Sequence, residues 1–223
     1  MLHITIISMA AFRGKFNAEG GRFIAFEGID GSGKTTQAAM LCNHLGRIGL
    51  PSVLTREPTG GRYGKLAKNM IVQKREFDSA RLQELFAADR MQHLKRFILP
   101  MLADGFIVVA DRYKLSSMAY GIASGLDAEW LAKLNSRAPE PFLTVMLDIP
   151  PKTAMGRIEK RGVENTAFEK KEFLGRVRKA YLSLAAGRSD VLIMDGSGSR
   201  DEIGRKVARA VVKKYTGRNL KRG

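Results

Sequence analysis

Nine consecutive residues, Gly28, Ile29, Asp30, Gly31, Ser32, Gly33, Lys34, Thr35 and Thr36, carry the densest chemistry in the chain. The first eight match the pattern G-x-x-x-x-G-K-[ST]. Glycines let a backbone curl until its N–H groups point inward, a shape that suits phosphate oxygens. A helix starting at the lysine adds partial positive charge at the same spot. In that setting Lys34 reaches the β- and γ-phosphates of a nucleoside triphosphate such as ATP, and the Thr35 hydroxyl binds Mg²⁺. A plain glycine-rich turn capped by Thr35 would need neither the apolar run before it nor the amphipathic pattern after it, and both are present.

Three further stretches bear on what receives the phosphate: "TREPTGG" (55–61), "LFAADR" (85–90) and "ADRYKLSSMAY" (110–120). The first and third sit at the ends of apolar runs, and open α/β sheets bind ligands beyond the carboxyl ends of their strands. Arg56 and Arg112 are placed to grip an acceptor monophosphate, Phe86 to stack on its base and Arg90, four residues on, to meet a base edge. Each has a plainer alternative. Phe86 can be core, Arg56 and Glu57 a surface ion pair, and Asp111 with Arg112 the cap of the next helix.

The elements that must position these residues follow from apolar periodicity. Runs at 22–27, 52–55, 106–111, 143–148 and 191–195 are almost continuously apolar, as expected of strands buried on both faces. Helical spacing appears over 34–47 (Ala38, Leu41, Leu45, Ile48), 81–99 (Leu82, Leu85, Phe86, Leu94, Phe97, Ile98), about 168–186 (Phe168, Val177, Tyr181, Leu184) and after Ser199. Alternating strands and helices predict an α/β fold with a parallel sheet and helices on both faces. Residues 150–172 are charged and glycine-containing, and read either as a mobile lid or as a solvated helical hairpin. Residues 1–21 read as a disordered extension, 22–215 as one domain and 216–223 as a basic tail.

The chain has 223 residues, a net charge of +16 and one cysteine, Cys42. A single cysteine excludes an internal disulfide and fits a reducing cytoplasm. No apolar run approaches the roughly 20 residues that cross a bilayer, so no membrane partner is expected. The basic balance points to anionic partners, either free nucleotides or nucleic acid.

The ordered set "FEGIDGSGKTT", "REP", "LFAADR", "DRY" with "SSMAY", "LTVMLD" and "VLIMDGS" resembles the thymidylate kinase family from about Arg22 to about Ser197. The resemblance implies a P-loop NTPase fold with five parallel strands and a short lid, ATP and Mg²⁺ as the donor pair, dTMP as acceptor, dTDP as product and a homodimer. It implies Asp30 near the transferred phosphate and the acceptor sugar, Glu57 and Pro58 bordering the acceptor pocket, and Phe86 stacked on thymine. Arg90 would reach a thymine carbonyl, and Asp111 and Arg112 would sit at the acceptor phosphate and metal. Tyr120 would lie near the sugar, where it disfavours a 2′-hydroxyl. The chain departs from the family at Gly121, where relatives carry a polar base reader, in "REPTGG" for "REPGGT", and at Val163 before Glu164. Gly31 stands where some relatives place an arginine in the P-loop, and relatives without that arginine draw a cation from the lid. That assigns Arg161 to catalysis, Arg157 to donor binding and Lys160 as the substitute. The rival readings are a P-loop kinase of another pyrimidine acceptor and a nucleic-acid-binding ATPase. The second would normally carry a water-positioning glutamate and further domains, so no nucleic-acid partner is expected.

Overall fold

The computed structural model describes residues 21–72, 78–160 and 167–217. Phe23–Glu27 forms β1, whose residues alternate between two apolar layers. Ile24 and Phe26 join one layer, and Phe23 and Ala25 the other, as the two-residue period of a strand dictates. β2 (Ser52–Arg56), β3 (Ile107–Asp111), β4 (Leu143–Asp148) and β5 (Val191–Asp195) complete a parallel five-stranded sheet of order β2-β3-β1-β4-β5. This is the α/β architecture of the P-loop NTPase fold. β1 lies between β3 and β4, so the crevice beyond its carboxyl end is the switch point where such sheets bind ligands.

Helices cover both faces. α1 (Lys34–Arg47) packs Ala38, Leu41 and Leu45 on one face of the sheet. α2 (Arg62–Val72) and α3 (Ser79–His93) pack on each other through Ala67, Leu82 and Leu85. A π-helical turn, Leu94–Ile98, leads from α3 to α4 (Leu99–Ala103) and buries Leu94 and Ile98 against the opposite face. α5 (Lys114–Ala123), α6 (Ala128–Asn135), α7 (Pro151–Glu159) and α8 (Ala167–Ala185) follow, and α5, α7 and α8 share a cluster that includes Leu115, Ile158 and Val177. α9 (Arg200–Thr216) returns to α1 with Ile203, Val207 and Val211. Among the described residues no helix is long and apolar enough to cross a membrane.

The expected strands are all present, but burial on both faces extends neither to β2, whose last three residues are half-buried or exposed, nor to β5. Both are edge strands, and Ile193 of β5 is 45% exposed. The continuous pattern over 81–99 is broken at the π-helical turn. Pro100, in the first turn of α4, has no N–H to donate and its ring crowds the carbonyl four residues back, so the regular ladder cannot pass through. Periodicity does not predict α2, because only Gly64 and Ala67 are buried on it, while Leu66, Ile71 and Val72 are exposed. The segment 150–172 opens not as a solvated hairpin but with α7, whose Ala154, Met155 and Ile158 are buried. Residues 1–20 and 218–223, most of the expected extension and tail, lie outside the described residues, as do 161–166 in the segment read as a lid.

Candidate active site

The loop after β1 turns through three glycines with positive φ, Gly28, Gly31 and Gly33, a backbone that side chains rarely adopt. At Gly31 space is also short: a Cβ would come within 2.5 Å of the Ala154 carbonyl oxygen of α7. An arginine at that position is therefore incompatible with α7 as packed here. Gly33 is the N-cap of α1, which has no side-chain cap and no acidic residue in its first turn. Its free N–H groups and positive pole are thus directed at whatever anion the loop holds. The Lys34 ammonium lies inside the curl, donating to the Ile29 carbonyl at 2.7 Å. Burial pushes its pKa down to about 7, Arg112 adds to the fall, and Asp30, Asp111 and Glu27 oppose it.

Behind the loop, Thr35 Oγ1 donates to Asp111 Oδ2 at 2.6 Å. The other oxygen, Asp111 Oδ1, is buried without a hydrogen-bond partner. An alcohol and a carboxylate with a spare oxygen suit Mg²⁺, which takes one or two protein oxygens and completes its shell with water and phosphate. The residues present therefore fit the expected ion.

Beside the cradle opens a cavity of ≈ 370 Å³, a size suited to one small organic ligand. Asp30, Glu57, Pro58, Phe86, Arg90, Arg112 and Tyr120 all line it. Arg112 closes the end nearest the loop. It adopts φ 73, a conformation unusual for a side-chain-bearing residue, and its N–H donates to the Phe26 carbonyl at 2.9 Å. Its guanidinium pairs with Asp30 and lies 5.3 Å from the Tyr120 ring centroid. The Asp30 N–H donates to Tyr120 Oη at 3.1 Å. Burial raises the Tyr120 pKa against the pull of Arg112, so the hydroxyl stays protonated.

The far wall is a buried polar network. Arg90, 2% exposed, donates through Nε to Glu57 at 2.9 Å, through Nη2 to Ser117 at 2.7 Å, and through Nη1 to Asn135. His93 meets the second Glu57 oxygen at 3.1 Å. Asp89 takes both the backbone N–H and the hydroxyl of Thr59, at 2.7 and 2.6 Å, which ties the "REPTGG" loop to α3.

Several expectations change. Glu57 is not half of a surface pair with Arg56, since it is buried and paired with Arg90. Arg56 is exposed at the end of β2 and absent from the cavity lining. Asp111 and Arg112 do not cap α5, whose N-cap is Tyr113. Phe86 is half-buried, packing beside Leu82 and Leu85 while also lining the cavity. Gly121 faces away from the cavity, because a Cβ there would meet Leu131 of α6 at 2.8 Å. Arg157 donates to the Gly196 carbonyl at 2.9 Å and lies 3.5 Å from that of Gly31. α7 ends at Glu159 with Lys160 as its C-cap, so the helical spacing that paired Arg157 with Arg161 stops short. Arg161, like Val163 and Glu164, lies outside the described residues. Thr36 is half-buried at the third position of α1. The sequence reading named neither Ser117 nor Asn135. Ser117 lies inside a quoted stretch, but Asn135 stands 45 residues from Arg90 with no local signal.

A phosphate cradle at the switch point, a Thr–Asp pair fit for Mg²⁺ and an adjoining cavity with its own arginines define a P-loop nucleotide kinase. A model of the family described as thymidylate kinase matches residues 26–207. The chain is 43% identical over 189 residues to the probable thymidylate kinase of Pyrococcus horikoshii, covering 82% of this chain and 92% of that one. It is 45% identical over 163 residues to the probable thymidylate kinase of Pyrobaculum calidifontis, covering 73% and 82%. With the thymidylate kinase of Desulfotalea psychrophila it shares 41% over 166 residues, covering 74% and 82%. The chain belongs to the thymidylate kinase family.

Proposed function

We propose that the chain transfers the γ-phosphoryl group of ATP to dTMP, giving ADP and dTDP. Family membership and the cavity beside the cradle support this reading, and they favour neither rival. An oxygen of the acceptor phosphate forms the new bond to the γ-phosphorus as the bond to the β-phosphate oxygen breaks. The acceptor is already an anion, so the chemistry needs positioning and charge neutralisation more than a base.

Gly28 to Thr36 hold the triphosphate, and Lys34 follows the charge onto the transferred group. Thr35 and Asp111 would hold Mg²⁺, which supplies charge neutralisation on the phosphate oxygens. Arg112 binds the acceptor phosphate, with Asp30 orienting it and Tyr120 beside the sugar. Phe86 stacks on thymine, Pro58 and Glu57 border it, and Arg90 and Ser117 face its polar edge. Arg90 has N–H groups beyond those bound to Glu57, Ser117 and Asn135. Arg157 serves the donor side, and Arg161 is the lid cation. Arg56, exposed at the end of β2, would join Arg112 at the acceptor phosphate.

A homodimer and a cytoplasmic location belong to the same proposal. Leu66 and Val72 on α2, 45% and 75% exposed, are apolar side chains that a second copy could cover. Sedimentation velocity decides the dimer. The function is tested by an acceptor panel with MgATP and dTMP, dUMP, other nucleoside monophosphates or DNA. Diphosphate formed preferentially from dTMP supports the proposal; ATP consumption stimulated only by DNA contradicts it.

A further inference from the structure

Glu27, the last residue of β1, is fully buried one residue before the phosphate loop, and no nucleotide-contacting role above uses it. Its carboxylate is surrounded by donors. One oxygen accepts the N–H groups of Tyr113 and Ser116 at 2.9 and 3.1 Å. The other accepts the Tyr181 hydroxyl at 3.0 Å and the Ser116 hydroxyl. α5 has no side-chain cap of its own, so Glu27 supplies that cap from the end of the neighbouring strand.

The Ser116 hydroxyl does more than cap. Its oxygen also accepts from Arg112 Nη1 at 3.1 Å, and the other arm of the same guanidinium pairs with Asp30. A carboxylate can only accept, and a guanidinium can only donate. Glu27 therefore draws the Ser116 hydrogen toward itself and leaves a lone pair for Arg112. Turned away from Glu27, that hydrogen would go to Tyr181 Oη, 2.8 Å away, or face the N–H of Arg112. Burial raises the Glu27 pKa, while the Ser116 hydrogen bonds, the Arg112 charge and the Tyr181 hydroxyl all favour the ionised form.

We propose that Glu27 is a positioning residue for phosphoryl transfer, which touches neither nucleotide but fixes the Ser116 hydroxyl as an acceptor and so holds the Arg112 guanidinium at the acceptor phosphate. The proposal rests on the role given above to Arg112. It links the core of the sheet to the transfer site through four residues: Glu27, Ser116, Arg112 and Asp30.

Glu27→Gln keeps the shape and replaces one accepting oxygen by a donating NH₂. Facing the hydroxyls, that NH₂ turns the Ser116 hydrogen away, toward Tyr181 Oη at 2.8 Å or toward Arg112, and removes the charge that fixes the hydroxyl's direction. The expected result is a fall in kcat of ~10–100-fold, the range seen when a supporting hydrogen-bond partner is lost, with a raised dTMP KM and an unchanged ATP KM. Ser116→Ala, which carries the test should Glu27→Gln fail to fold, is expected to show the same split. In its background Glu27→Gln should add nothing further to the kinetic loss, since both changes break one relay. Kinetics are read per folded molecule, with melting temperatures alongside. Lowered melting temperatures with wild-type kcat and dTMP KM in both variants would overturn the proposal. So would independent, multiplying effects in the double variant. Arg112→Ala separates the two layers. If it is crippled while Ser116→Ala is fully active, the positioning role alone fails; if it is itself fully active, the reading of the acceptor site fails first.

Discussion

The donor cradle and the acceptor cavity lie side by side but are built in opposite ways. The cradle is one run of nine residues, and much of what it presents is main chain: three glycines with positive φ, the uncapped start of α1, and Lys34 folded onto a carbonyl. The cavity is assembled from the ends of β2 and β3 and from α3 and α5, with Asn135 of α6 behind it, and its polar groups hold one another before any ligand arrives. A phosphate can be gripped by N–H groups that every residue but proline supplies, provided glycines allow the curl. A base and a sugar need particular side chains fixed in place from several directions, and each needs its own support.

Substitutions can break that division, starting with the largest effect. Lys34→Ala should lower turnover by ~10²–10³-fold or more, because its charge is wanted mainly in the transition state. Circular dichroism and a thermal melt should show an intact fold, and near-normal turnover would remove the cradle from the account. Next comes Phe86→Ala, which deletes a stacking face. It should raise the dTMP KM roughly 5- to 100-fold, the span measured for base–aromatic stacking, while the ATP KM hardly moves. A change in the ATP KM alone would assign Phe86 to packing or to the donor side.

Arg157→Ala is the mirror image and smaller. It should raise the ATP KM roughly 2- to 5-fold, as suits a partly exposed charge, and leave the dTMP KM alone. Equal shifts in both constants would show that the two sites are not separate. The smallest catalytic effect is expected of Gly121→Ala. Its Cβ would press on the fully buried Leu131, costing about 1–3 kcal/mol of stability by overpacking. The ratio of kcat/KM for dTMP over dUMP should not change. A changed ratio would restore position 121 as a reader of the base.

The same division explains what the sequence could reveal. Gly28 to Thr36 were legible because the pattern lies in one contiguous stretch, and β1, β3 and β4 because burial on two faces leaves an almost unbroken apolar run. β2 and β5 are the two edge strands and are only partly buried, β5 despite its apolar run. Helical spacing and strand ends point to Phe86, Arg90 and Arg112, which share the cavity lining, but not to the residues that hold them. Ser117, Asn135 and His93 matter by what they meet across the fold, and no local pattern announces such a meeting. Arg56, a strand-end arginine, is exposed at the end of β2 and outside the cavity lining, so spacing alone could not fix its distance from the cavity. At Gly121 the sequence cannot tell which way a Cβ would point, and in the fold it points toward Leu131.

The most direct test of the whole account is product analysis of one reaction holding the protein, MgATP and dTMP. It should yield ADP and dTDP in equal amounts, with no ADP above background when dTMP is left out. ADP and free phosphate released at the same rate with or without dTMP would contradict it.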